Sequence, residues 1–161
     1  MSMRTTIRIT YALLLLSLLS LSARGQVILR LNSDHFSTYD PIEVTIVNHQ
    51  SKPISVCIGE QWNDKANGDI EVTRTPLLFQ VQNGRQWVTV LNGVDLSPMS
   101  YPLTIDPRES QLFHLQTNEK GKGRFVLSYW DGDNSLVCNN PVGGKKSISR
   151  TFTVHGSPKK S

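Results

Sequence analysis

The sequence predicts an all-β protein, an antiparallel sandwich of two packed sheets. Three observations predict it. Short runs rich in β-branched and aromatic residues alternate apolar with polar side chains, as in Ile42-Glu-Val-Thr-Ile-Val47. Turn formers punctuate these runs at short intervals. No segment sustains a helical period, and no internal repeat is present. About nine short strands in about 130 residues suit a sandwich. A closed barrel is the alternative. Two irregular segments, 59–75 and 92–99, favour the sandwich, whose chain must cross between sheets.

The first 25 residues stand apart from this pattern. Arg4 and Arg8 precede an apolar run from Tyr11 to Leu21, and Ala23-Arg-Gly25 follows it. A basic start, a short apolar core and small residues two apart predict a secretory signal peptide over 1–25, cut after Gly25. The run is shorter than the ~20 apolar residues that span a membrane. An uncleaved anchor is the alternative. After cleavage, a β-sandwich domain over 26–155 and a short polar tail at 156–161 are expected, secreted or periplasmic, with no stable membrane span.

The strands follow in order. Residues 26–31 alternate around Val27, Leu29 and Leu31, and 42–47 around Ile42, Val44 and Ile46. After the turn Asn48-His-Gln-Ser-Lys52 comes 53–58. The runs 77–82 and 86–91 flank Asn83-Gly84, the strongest hairpin signal in the chain, because Asn-Gly tolerates positive φ. Strands at 101–105 and 110–116 flank Asp106-Pro-Arg-Glu109, where aspartate and proline suit the first two turn positions. The run 124–130 is the clearest single strand, and 147–154 reads as the last one.

Charge narrows the partners. Arg4, Arg8 and Arg24 leave with the signal, so the mature net charge is near +1, which weakens a nucleic-acid reading. Residues 26–119 hold 6 basic and 11 acidic side chains, whereas 120–161 hold 8 and 2. The basic group is Lys120, Lys122, Arg124, Lys145, Lys146, Arg150, Lys159 and Lys160. It either steers an acidic partner or forms a solvated face. The two cysteines, Cys57 and Cys138, are an even count in an exported chain and are expected to pair, which leaves no thiol nucleophile. A loop of that length is worth roughly 4 kcal/mol when closed.

Several stretches resemble the immunoglobulin-like sandwiches of exported bacterial proteins. Pro41-Ile-Glu-Val-Thr-Ile-Val-Asn-His-Gln-Ser-Lys-Pro-Ile-Ser55 resembles their early hairpin. Leu103-Thr-Ile-Asp-Pro-Arg-Glu-Ser-Gln-Leu112 resembles their proline turn, with Arg108 where glycine is commoner. Gly123-Arg-Phe-Val-Leu127 resembles the start of their tyrosine-corner strand, with Phe125 in the tyrosine place and Leu127 in that of the second antibody cysteine. The resemblance implies an antiparallel immunoglobulin-like β-sandwich of about 8–9 strands. The cross-sheet disulfide of antibody domains is absent, so Cys57–Cys138 is a different bridge, expected to tie the third strand to the loop before the last. The layout is similar to bacterial proteinase-inhibitor sandwiches. Asn140-Pro-Val-Gly-Gly144 is similar to the Asn-Pro-led inhibitor loop of the chagasin family, but it sits late in the chain, and no Arg-Pro-Trp motif accompanies it.

Candidate chemistry is sparse. Trp130-Asp-Gly-Asp-Asn134 offers calcium two carboxylates and an amide, fewer than the six to eight oxygens such sites use, and also suits a plain turn. His35, His49, His114 and His155 lie on separate segments without metal-ligand spacing. No Gly-x-Ser-x-Gly elbow supports a hydrolase. No cofactor, metal or catalytic residue is therefore expected. Among the tryptophans, Trp87 and Trp130 sit on strands and suit a core or its edge, whereas Trp62 lies in the polar stretch after Cys57. A disulfide-pinned loop around Trp62 and Asn63, and the loop 131–146, are expected at one end. The expected contact residues are Trp62, Asn63, Trp130, Asp131, Asn139, Asn140, Lys145 and Lys146. The expected function is a non-enzymatic module that binds a protein or glycan through these loops. A proteinase inhibitor and a small secreted enzyme are the alternatives.

Overall fold

A computed structural model of the protein describes residues 26–64, 69–90, 100–133, 136, 138–139 and 142–156, with backbone alone at 61–64 and 70–71. The expected signal segment 1–25, residues 157–161 of the expected tail, segment 91–99 and Asn140 lie outside the described residues. Among the described residues there is no helix, and twelve strands form, more than the eight or nine expected. They are β1 (Val27–Leu31), β2 (His35–Ser37), β3 (Ile42–Asn48), β4 (Ile54–Asp64), β5 (Ile70–Thr75), β6 (Leu77–Asn83), β7 (Gln86–Thr89), β8 (Tyr101–Ile105), β9 (Ser110–Leu115), β10 (Gly121–Asp131), β11 (Lys145–Ile148) and β12 (Phe152–His155). The smaller sheet has the order β1-β3-β9. The larger runs β2-β12-β10-β4-β5, with β11 and β6 also on β10, β7 on β6 and β8 on β4.

Alternation builds the core. The inward positions Val27, Ile42, Val44 and Ile46 face Ile54, Val56, Leu77, Phe125 and Leu127, all of them buried. Phe79, Phe125 and Phe152 cluster with centroids 5.2–5.8 Å apart, Phe152 stacked on the other two. Gly123 makes room for them, since a Cβ there would lie 2.5 Å from Phe79. The sheets are also tied by polar groups, as where the Ser147 hydroxyl donates to the Val27 carbonyl at 2.8 Å.

Four expectations are corrected. The larger sheet is mixed, because β2 pairs with β12 in parallel. The chain leaves β1, crosses between the sheets through Ser33 and Asp34, and lies beside β12, where Asp34 O accepts from Thr153 N at 2.9 Å. The described residues of segment 59–75 are not irregular. The segment holds the outer half of β4 and all of β5, paired from Gly59↔Thr75 to Asp64↔Ile70. Its polar residues hid it: Glu60 and Arg74 are cross-strand neighbours joined at 3.1 Å, a pairing that needs no apolar face.

The expected last strand divides in two. Between the pairs Val126↔Ile148 and Gly123↔Phe152, the three residues Ser149, Arg150 and Thr151 oppose the two residues Arg124 and Phe125. That extra residue is a β-bulge. Ser149 fills it by donating its N–H to Phe125 O and accepting Phe125 N–H on its hydroxyl, both at 2.9 Å. Arg150 is thrown outward onto Asp34 at 2.7 Å and the Leu31 carbonyl at 3.1 Å. The hairpin turn is also shifted by one residue. Asn83 pairs with Gln86, so the loop is Gly84-Arg85, with positive φ (60°) at glycine alone, as in a type II′ turn.

The turn after β8 explains the unusual arginine. Glu109 N–H donates to Asp106 O, Pro107 takes the second position, and Arg108 has φ of 66°. A type II turn demands that left-handed third residue, and glycine fills it without strain. R108G should therefore raise the urea midpoint by the equivalent of about 0.5 kcal/mol, relief of strain outweighing the entropy that glycine adds to the unfolded chain. A second expected outcome concerns Asn48, fully buried at the end of β3. Its amide faces the carbonyls of Lys52, Ile105 and Asp106 at 2.9–3.2 Å, and its Oδ1 accepts from Gln50 N–H at 3.0 Å. N48L strands those groups and should cost about 2–4 kcal/mol in urea unfolding, at unchanged slope.

Candidate functional site

Outward positions of the larger sheet alternate with the core. On β4, Ile54, Val56 and Ile58 point in, so Ser55 and Cys57 point out. On β10, Tyr129 points in and Trp130 out, directly opposite Ser55. These outward residues should meet water, yet Ser55 is fully buried. The loop after β10 covers it.

That loop is fastened at several points. Cys138 is bonded to Cys57 across a separation of 81 residues, with Cα atoms 5.4 Å apart. Gly132, at φ 89°, donates its N–H to Pro53 O at 2.7 Å and accepts the Ser55 hydroxyl at 2.8 Å. Thr104 donates to Asp133 at 2.8 Å. The indole N–H of Trp130 donates to Val142 O at 3.0 Å. The returning chain lies flat on the same indole at Gly144, where a Cβ would sit 2.7 Å from the ring. Lys145 closes the loop with an ion pair to Asp131 at 2.6 Å. The hydrogen bond that Lys145 Nζ donates to that carboxylate raises the Lys145 pKa above the ordinary lysine value. The described residues of this loop are thus fastened to the sheet as a flap, with Trp130 as its floor.

The flap turns apolar side chains outward. Leu136 is 69% exposed and Val142 75%. Asn139 is exposed beside Leu136, whose carbonyl accepts the Asn139 N–H at 3.1 Å.

Of the residues expected at the site, Trp130, Asp131, Asn139 and Lys145 share this flap. Lys146 is exposed one residue beyond it, opposite Ser128. Trp62 and Asn63 do not lie in a loop. They sit in β4, paired with Val72 and Glu71. Trp62 is seven residues past Ser55 along the strand, about 23 Å from the flap's base. Their neighbourhood to Cys57 in sequence misled, because a strand carries the chain away from its own disulfide. The two carboxylates considered for calcium are engaged separately, Asp131 by Lys145 and Asp133 by Thr104. His35 stacks on His155 at 5.8 Å, and His114 approaches Glu43 at 3.9 Å. Among the described residues no three His, Cys, Asp or Glu side chains gather as metal ligands would. Nor is any helix there long and apolar enough to cross a membrane.

Sequence reasoning missed Leu136, Val142, Ser55 and Gly144. For the first two a signal existed: apolar residues within a turn-rich stretch have no core to join.

No family model and no curated protein matches the chain. Among solved structures it is similar to the sporulation control protein Spo0M from Bacillus subtilis, at 10% identity and a TM-score of 0.34, over 83% of this chain and 50% of that one. The chain therefore spans about half the length of Spo0M. It is also similar to the ASH/PapD-like domain 7 of human CEP192, at 9% identity and a TM-score of 0.29, over 83% of this chain and 86% of that one.

Two outcomes are expected from the flap's geometry. G144A pushes the returning chain off Trp130, so its indole N–H resonance should move toward the value of a solvent-exposed indole. In the wild type the Lys145 amine should titrate above ordinary lysines, and D131N should return it to their range. The Asp131–Lys145 contact is therefore present below that pKa and is lost as pH rises through it, which NMR titration of the Lys145 side chain reads directly.

Proposed function

We propose that this protein is an exported, immunoglobulin-like recognition module that binds a partner protein through the flap between β10 and β11 and performs no covalent chemistry. The observation that carries the reading is the outward placement of Leu136 and Val142 on a loop tied to the sheet by a disulfide, an indole floor and an ion pair. A loop already ordered loses little entropy on binding, and its exposed aliphatic groups gain area burial when a partner covers them. Aliphatic side chains favour a protein surface over a sugar, which is recognised chiefly by hydrogen bonds and flat aromatic faces. The Cys57–Cys138 bridge is compatible with an oxidising compartment, in keeping with the signal-like start of the chain. The division into β1-β3-β9 and a larger sheet built around β10 agrees with the immunoglobulin-like reading.

The test is affinity capture of extracellular and periplasmic proteins on immobilised protein, followed by titration of whatever partner is recovered. L136A/V142A should weaken that partner's binding at least about tenfold with the fold intact by circular dichroism. C57S/C138S should also weaken it, through the loosened flap. Undiminished binding by both variants sinks the reading.

A further inference from the structure

The outer face of the larger sheet, below the flap, is not built like a solvated one. Val126 points outward on β10, yet it is only 6% exposed. It is flanked directly by Leu78 on β6 and Ile148 on β11, which are 37% and 51% exposed. Three aliphatic side chains thus form a row across three strands on the face turned away from the core.

Cations border this row on both sides. Lys122 and Arg124 stand outward on β10 toward one end of the sheet, and Lys146 stands opposite Ser128 toward the other. Arg124 is held in place: its Nε donates to Gln80 at 2.9 Å, and its guanidinium lies 4.2 Å over the Trp87 ring. Gln80 in turn donates to Thr89 at 3.1 Å. Among the described residues, the outward positions of β6, β7, β10, β11 and β12 carry no carboxylate.

We infer that this face is a second docking surface, independent of the flap, for a partner protein whose apolar patch is rimmed by carboxylates. Leu78 and Ile148, seated on either side of Val126, supply area to bury, and the one-signed rim sets orientation and choice. A second copy of this chain is disfavoured, because two such faces would bring cations against cations. A polyanionic glycan would engage Lys122, Arg124 and Lys146 but leave Ile148 and Leu78 without a role.

The probe is a short synthetic peptide alternating leucine and glutamate, titrated into the full chain while methyl resonances are followed. The expected result is movement of the Leu78, Val126 and Ile148 methyls, with affinity falling as salt rises. The same peptide with lysine for glutamate should bind at least about tenfold more weakly. I148D, at an exposed position, and K122E/K146E, which spares the Arg124–Trp87 stack, should each lose about tenfold. L136A/V142A should bind as the wild type does. The inference is overturned if neither peptide moves these methyls, or if both move them equally. Loss of binding in L136A/V142A overturns it by placing the contact on the flap. Dimerisation that I148D abolishes, or tight heparin binding that K122E/K146E loses and I148D keeps, overturns it in favour of those other occupants.

Discussion

One buried amide organises the end of the molecule that carries the flap. Asn48 closes β3 in the smaller sheet, and its NH2 group faces the carbonyl of Ile105, the last residue of β8 in the larger sheet. Its backbone joins the same junction, donating to Glu109 O and accepting from Arg108 N–H. A polar side chain buried this deeply is costly unless every group on it is paired, and here each is. The geometry of two sheets, the turn after β3 and the turn after β8 is therefore set together. The turn delivers Pro53, whose carbonyl receives Gly132 N–H and so sets the base of the flap. A chain of main-chain contacts thus runs from the inter-sheet junction to the exposed loop.

Much of this frame was legible because burial imposes a period. Where a strand has one face in the core, as in β1, β3 and β10, apolar residues must recur every second position, and the sequence shows them. Legibility failed where other forces set the strand. The outer half of β4 with β5 is held by ladder hydrogen bonds and a cross-strand ion pair, neither of which leaves an apolar pattern. β2 has three residues, too few to show a period, and is placed by hydrogen bonds from Thr38 and Thr153. The bulge at Ser149–Thr151 is invisible in composition, since serine and threonine serve equally well inside a strand.

The candidate site was half legible for a related reason. Trp130, Asp131 and Lys145 were found because rare or charged residues beside a turn attract notice. Ser55 was passed over because serine on an outward strand position is ordinary. Only its burial under Gly132 shows that the loop folds back over the sheet. Trp62 drew attention through its distance from Cys57 in sequence, but in an extended chain each residue adds about 3.3 Å, so a few positions separate it from the bridge. The run Phe125-Val-Leu127 carries a further signal. Three consecutive apolar residues in a half-buried strand require an apolar position on the outer face as well.

The flap and the sheet face share a physical logic. An isolated loop that turns leucine and valine to water gains nothing by being ordered, since the exposed area is the same in any conformation and order costs about 1–2 kcal/mol per residue. Order must come from elsewhere. Here it comes from the covalent bridge, the Trp130 indole and the Asp131–Lys145 pair. On the sheet face the backbone is already fixed by the ladder, and the guanidinium of Arg124 is oriented by Gln80 and Trp87 before any partner arrives. Both surfaces therefore present aliphatic area on groups whose conformational entropy has already been lost in folding. That entropy is the main cost that limits binding of a flexible surface of equal area. If these surfaces recognise partners as proposed, the fold lowers the cost of that recognition in advance, chiefly through residues that a partner need never touch: Gly144, Ser55, Asn48 and the two cysteines.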